Sequence, residues 1–104
     1  LWSSSSRGPT ADLRWGPSLC APGVNVDSVD ANTVTDFTAK TGTSIAAPHV
    51  TGIAAQLVDE HPFLRYNPAT LSAVLMAGTI TKDSALLTSP STSSTHHLNT
   101  YGTG

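Results

Sequence analysis

The run Gly42-Thr43-Ser44-Ile45-Ala46-Ala47-Pro48-His49-Val50-Thr51-Gly52 sets a serine hydroxyl at the mouth of an apolar helical segment. A hydroxyl placed there is a candidate nucleophile. If it attacks a carbonyl carbon, the positive end of the helix dipole lies beside the oxyanion that forms. Gly42 lets the backbone turn tightly and leaves room for a bound chain, while Thr43, Ala46 and Ala47 are small enough to keep the approach to Ser44 open. The plainer role for Ser44 is an ordinary helix N-cap, which serine fills well in any protein.

Other groups capable of chemistry carry less. His49 lies five residues along the same helix as Ser44, so it points away from the hydroxyl and reads as a hydrogen-bonded structural histidine. His96-His97 follow a stretch from Thr88 to Thr95 that is nearly all serine and threonine; two adjacent imidazoles there could hold a metal or act as a base, but solvated side chains are the simpler reading. Asp12, Asp27, Asp30 and Asp36 are scattered without calcium-loop spacing. Lys40-Thr41-Gly42-Thr43-Ser44 lacks the residue order and the earlier glycine of a phosphate loop. Cys20, the single cysteine, excludes an internal disulfide and reads as a buried, inert thiol at a strand end. Trp2 and Trp15 read as packing residues.

The eleven positions from Gly42 to Gly52 resemble the serine motif of the subtilisin-like serine proteases, which commonly runs Gly-Thr-Ser-Met-Ala-Ala/Ser-Pro-His-Val-Ala-Gly; only Ile45 and Thr51 depart from it. Ser5-Ser6-Arg7-Gly8-Pro9-Thr10 is similar to the family's Ser-Ser-x-Gly segment and Ala21-Pro22-Gly23 to its Ala-Pro-Gly turn. Asn67-Pro68-Ala69 through Gly78 is similar to the helix after the serine helix. Many members read Lys-Pro-Asp where this chain has Gly16-Pro17-Ser18, a loss of both charges. The resemblance implies a serine endopeptidase with Ser44 as nucleophile and the Ser44 backbone N–H as one oxyanion donor. It further implies a polypeptide substrate and a secreted or extracytoplasmic location, with no cofactor in this segment and structural calcium as a feature of many members.

In that family the triad runs Asp, His, Ser along the chain, and a side-chain Asn of the oxyanion hole also precedes the serine. Here no histidine precedes Ser44: His49, His61, His96 and His97 all follow it. The expectation is therefore that residues 1–104 are the carboxy-terminal fragment of one catalytic domain, incomplete at both ends, beginning with Leu1 and stopping at Gly104. Its partner would be the missing amino-terminal part that supplies His, Asp and Asn, and the chain alone is expected to be almost inactive. Two alternatives are a pseudoprotease that serves as a binding scaffold and a separately made piece that complements an amino-terminal partner.

The elements that must position Ser44 follow from pattern. Val24, Val26 and Val29 suggest a half-buried strand, Val34 to Ala39 its partner, and Asp30-Ala31-Asn32 the turn between them. The second strand runs straight into Gly42-Thr43-Ser44. From Ser44 to Glu60 the residues Ile45, Ala46, Ala47, Val50, Ile53, Ala54, Ala55, Leu57 and Val58 leave almost no polar face, the mark of a helix covered on all sides. Pro48 is expected in its first turn and Pro62 beyond its end. Asp59 and Glu60 sit where the macrodipole disfavours anions. A second helix starts with Asn67 as N-cap and Pro68 at its first position, carries Leu71, Val74 and Leu75 on one face, and stops at Gly78.

Strands alternating with helices argue α/β. The resemblance makes this part of a three-layer subtilisin-like fold, with a mostly parallel sheet and a buried central helix starting at the serine. A chain of 104 residues holds one domain at most, and a net charge of −2 gives no reason to expect nucleic acid or an anionic membrane as partner. No apolar stretch has the length of a membrane span. Each large side chain of the serine helix left in water forgoes roughly 1.5–3 kcal/mol, so the isolated chain is expected to be poorly folded or self-associated.

Overall fold

The computed structural model describes residues 1–79; the stretch from Thr88 to Thr95 and the His96-His97 pair lie outside the described residues. In chain order the elements are β1 (Val26–Val29), β2 (Phe37–Lys40), α1 (Thr43–Glu60), a short 3-10 turn (Pro62–Tyr66) and α2 (Pro68–Ala77).

β1 and β2 pair antiparallel, with Val26 opposite Lys40 and Val29 opposite Phe37. Asp30 closes the connection: its carboxylate accepts the Asn32 backbone N–H at 3.0 Å and the Asn32 side-chain amide at 2.9 Å, and its own N–H donates to the Asp36 carbonyl at 3.0 Å. Local bonding of an aspartate to the backbone two residues on is what turns a chain at such a site. The start of β2 at this turn falls later than expected, at Phe37 instead of Val34. Val34 belongs to the turn and is fully exposed, because the bond between Asp30 and Asp36 delays pairing until Phe37.

α1 runs for 18 residues and ends one residue before His61, whose N–H donates to the Leu57 carbonyl at 2.9 Å. The sequence marked Pro62 as the stop; it did not mark the 3-10 turn that Pro62 opens. Leu64, 2 % exposed, is the buried apolar residue of the described part, at the elbow where that turn meets α1 and α2. α2 begins as expected with Pro68 after Asn67, though the Asn67 side chain donates to the Phe63 carbonyl at 2.8 Å instead of capping the helix. Gly78 ends it with a right-handed φ of −82°, so its position needs no left-handed glycine.

Three expectations meet a different structure. Ser18 to Ala21 form no strand among the described residues, whose one sheet is the antiparallel pair of β1 and β2. α1 buries none of its residues, and Ile53 is 52 % exposed. Trp15 is 61 % exposed and Trp2 is 38 % exposed, so neither is packed as the sequence suggested. The cause is common to all three: strands need neighbours for their N–H and C=O groups, and apolar faces need a second layer. Residues 1–79 supply only a hairpin and two helices, and a hairpin alone is marginal in water.

Candidate active site

β2 ends at Lys40, two residues pass, and α1 begins at Thr43, which places Ser44 at the second helical position with Gly42 as N-cap. No side chain caps this end. The Gly42 carbonyl accepts the N–H groups of Ile45 at 3.0 Å and Ala46 at 3.3 Å, closing the first helical bonds. The Ser44 side chain is exposed, and among the described residues its N–H has no hydrogen-bond acceptor, as expected for the orphan donors of a first turn. Ser44 is therefore not the N-cap that the plainer reading made it. Hydroxyl and N–H both remain available at the positive end of an 18-residue helix.

Gly42 acts differently from its expected role. Its φ of 166° is extended backbone open to any residue, so no tight turn demands glycine here. Space does: a Cβ on Gly42 would stand 3.1 Å from Ser44 Oγ and crowd the hydroxyl. Behind it, the Gly42 N–H donates to the Gly23 carbonyl at 2.7 Å, and a Cβ on Gly23 would meet the Gly42 carbonyl oxygen at 2.7 Å. The Ala21-Pro22-Gly23 turn thus lies directly against the start of the serine helix, and the missing side chain of Gly23 makes the approach possible.

Pro48 lies beyond the first turn because α1 starts at Thr43, which corrects the expected placement. Having no N–H, it offers the Ser44 carbonyl no i+4 donor. His49 is exposed, and its Nδ1–H donates to the Ile45 carbonyl at 2.9 Å, a bond within one helical face that ties the imidazole to its own helix. A five-residue step turns about 140° around the axis, and the structure does not bring His49 to Ser44. His61 stands beyond the far end of α1, its ring 6.2 Å from that of Phe63.

Cys20 is half-buried, and that burial pushes its thiol above the ordinary value. It lines a cleft of about 700 Å³ together with Trp2, Leu19, Pro22, Ala46 and Val50. Ser44 is not among the residues lining this cleft, which runs along α1 past Thr43, Ala46, Ala47 and Val50. Among the described residues no three His, Cys, Asp or Glu side chains converge to hold a metal ion. Among them, too, no helix is long and apolar enough to cross a membrane.

One contact was not legible in advance. Thr41 Oγ1 accepts the Asn25 N–H at 2.9 Å and donates to Asn25 Oδ1 at 3.4 Å. The residues are sixteen apart, and no spacing rule links them until the register of the hairpin is known.

Comparison with known proteins bears on the whole chain. A family profile, Peptidase_S8, the subtilase family, matches residues 1–104. The subtilisin-like protease SBT1.5 of Arabidopsis thaliana is 32 % identical over 117 aligned residues, covering 98 % of this chain and 15 % of its own length. Subtilisin-like protease SBT3 of Solanum lycopersicum is 34 % identical over 71 % of this chain and 11 % of its own length. Pyrolysin of Pyrococcus furiosus is 36 % identical over 71 % of the chain and 5 % of its own length. The chain thus spans 15 % or less of the length of these relatives. No solved structure matches it.

Proposed function

The chain belongs to the subtilase family of serine peptidases, and on that footing we propose that Ser44 is the nucleophile of a serine endopeptidase, acting with His, Asp and an oxyanion Asn supplied by a part of the catalytic domain upstream of residue 1. The observation that carries the proposal is the state of Ser44: an exposed hydroxyl beside an unclaimed backbone N–H, at a helix start where no side-chain cap competes for either.

The chemistry is acyl transfer. Ser44 Oγ gives its proton to the upstream histidine as it bonds to the scissile carbonyl carbon, and the carbonyl oxygen becomes an oxyanion. The Ser44 N–H and the positive helix end stabilise that charge from this chain, and the upstream Asn donates from the other side. When the C–N bond breaks, the histidine returns the proton to the leaving amine. Water then attacks the ester and frees Ser44. Gly42 serves this reaction by keeping the space beside Oγ empty.

In the same proposal the upstream part brings the remaining strands of a mostly parallel sheet and covers α1, which becomes the buried central helix of a three-layer fold. The exposed Ile53 and the half-buried Ala46 and Val50 support that reading. A polypeptide substrate and an extracytoplasmic location rest on family resemblance alone.

The test is covalent labelling. A fluorophosphonate should modify Ser44 in the full gene product, or in this chain mixed with its upstream half, and Ser44→Ala should abolish the label; peptide mapping locates it. A correctly folded full-length protein that takes no label would leave the pseudoprotease reading in its place.

A further inference from the structure

Resting on Ser44 as nucleophile, we propose that Thr41 is a positioning residue: its side chain forms a rung between the segment leaving Gly23 and the segment arriving at Gly42, and that rung fixes where the Ser44 hydroxyl stands. Main-chain pairing of the hairpin ends at Val26 and Lys40. One residue further on, the Asn25 N–H donates to the Thr41 hydroxyl at 2.9 Å, and the hydroxyl turns its own proton to Asn25 Oδ1 at 3.4 Å. A side-chain oxygen thus takes a place in the ladder where a strand would normally use a carbonyl. The next tie is again main chain, Gly42 N–H to Gly23 carbonyl at 2.7 Å.

Asn25 has a left-handed φ of 51°, a conformation that asparagine adopts more readily than other residues with a Cβ. It is held in that conformation next to the rung, so the two residues form one local unit. Thr41 precedes Gly42, and the Gly42 carbonyl is the acceptor of the first two bonds of α1. Slack at Thr41 therefore passes directly to the helix start and to Ser44.

The rung does little for stability by comparison. Asn25 and Thr41 are both exposed, so water replaces a lost bond there at small cost. Water does not replace the geometry. Misplacement of a reacting group by about an ångström slows a reaction on the order of 100-fold without touching the chemistry itself.

The experiment uses the full gene product with Thr41→Val, which keeps the shape and removes the hydroxyl, and Thr41→Ser, which keeps the hydroxyl. Fluorophosphonate labelling of Ser44 is resolved into reagent affinity and the rate of the covalent step, alongside the urea midpoint. Thr41→Val is expected to slow the covalent step on the order of 10- to 100-fold, with affinity and midpoint held and with Thr41→Ser restoring the rate. Labelling of Thr41→Val at the unsubstituted rate, or slowing only in proportion to lost folded protein, overturns the rung while leaving Ser44 as nucleophile. Absence of label in the unsubstituted protein overturns the nucleophile and the rung with it.

Discussion

Replacing Gly23 with alanine tests how tightly the Ala21-Pro22-Gly23 turn holds the serine helix. The added Cβ would stand 2.7 Å from the Gly42 carbonyl oxygen, 3.1 Å from Ala46 Cβ and 3.4 Å from Ala46 N. Close carbon-to-oxygen contacts settle at about 3.3–3.6 Å, so one side must give by roughly 0.6 Å or more. The Gly42 carbonyl is not free to retreat, because it accepts from Ile45 at 3.0 Å and from Ala46 at 3.3 Å. Moving Gly23 instead stretches its 2.7 Å bond from the Gly42 N–H. Overpacking of this kind costs about 1–3 kcal/mol, which lowers the urea midpoint of the full gene product by a readable amount. The displacement falls on Gly42, two residues before Ser44, so fluorophosphonate labelling should slow on the order of 10-fold or more even where the protein is fully folded. An alanine variant with unchanged midpoint and unchanged labelling rate would show that the turn does not brace the helix start.

The isolated 104-residue chain should self-associate or fold poorly, since α1 buries none of its residues; a sharp, reversible circular-dichroism melt of a species that light scattering shows to be monomeric would refute this. Gly52→Ala in that isolated chain should raise the helical signal at 222 nm, because nothing lies within 4 Å of the added Cβ and alanine is favoured over glycine by roughly 0.8–1 kcal/mol in a helix interior. Burial holds the Cys20 thiol above its ordinary value, so the fold favours the neutral thiol: that contribution is complete below the unfolded-state value and is lost as pH rises through the folded one. Disulfide-reagent kinetics should accordingly reach half-maximal rate at higher pH in folded than in urea-unfolded protein. Asp12 is held below the usual carboxylate range by its hydrogen bond from Thr10 and then by Arg14, whose Nε lies 2.7 Å from Oδ2. Its contribution is present above the unfolded value and lost as pH falls through the folded one, and Thr10→Val should move the carboxyl titration, followed by NMR, back toward the usual range.

The elements that Ser44 depends on were legible because each is written in adjacent residues. Apolar residues on nearly every face mark α1, Asn67-Pro68 marks the start of α2, and Asp30-Ala31-Asn32 marks the hairpin turn. Contacts between distant residues were not legible. The Gly23 carbonyl that takes the Gly42 N–H and the Thr41 hydroxyl that takes the Asn25 N–H depend on hairpin register, and register is set by pairing. The reason Gly42 must be glycine was misread for the same cause: the residue type shows that a side chain is absent, whereas only coordinates show that the space is held for Ser44 Oγ and not used for a turn.

Sequence alone determined that a serine opens an apolar helix within a subtilase motif and that no histidine stands before it, for these are facts of residue order. Tertiary structure decided that this serine sits at the second helical position with hydroxyl and N–H unclaimed, that Gly23 lets the Ala21-Pro22-Gly23 turn close on the helix start at Gly42, and that α1 buries none of its residues. The physical reason is that helix formation is governed by near neighbours, whereas burial and close approach depend on which distant segments are present to pack.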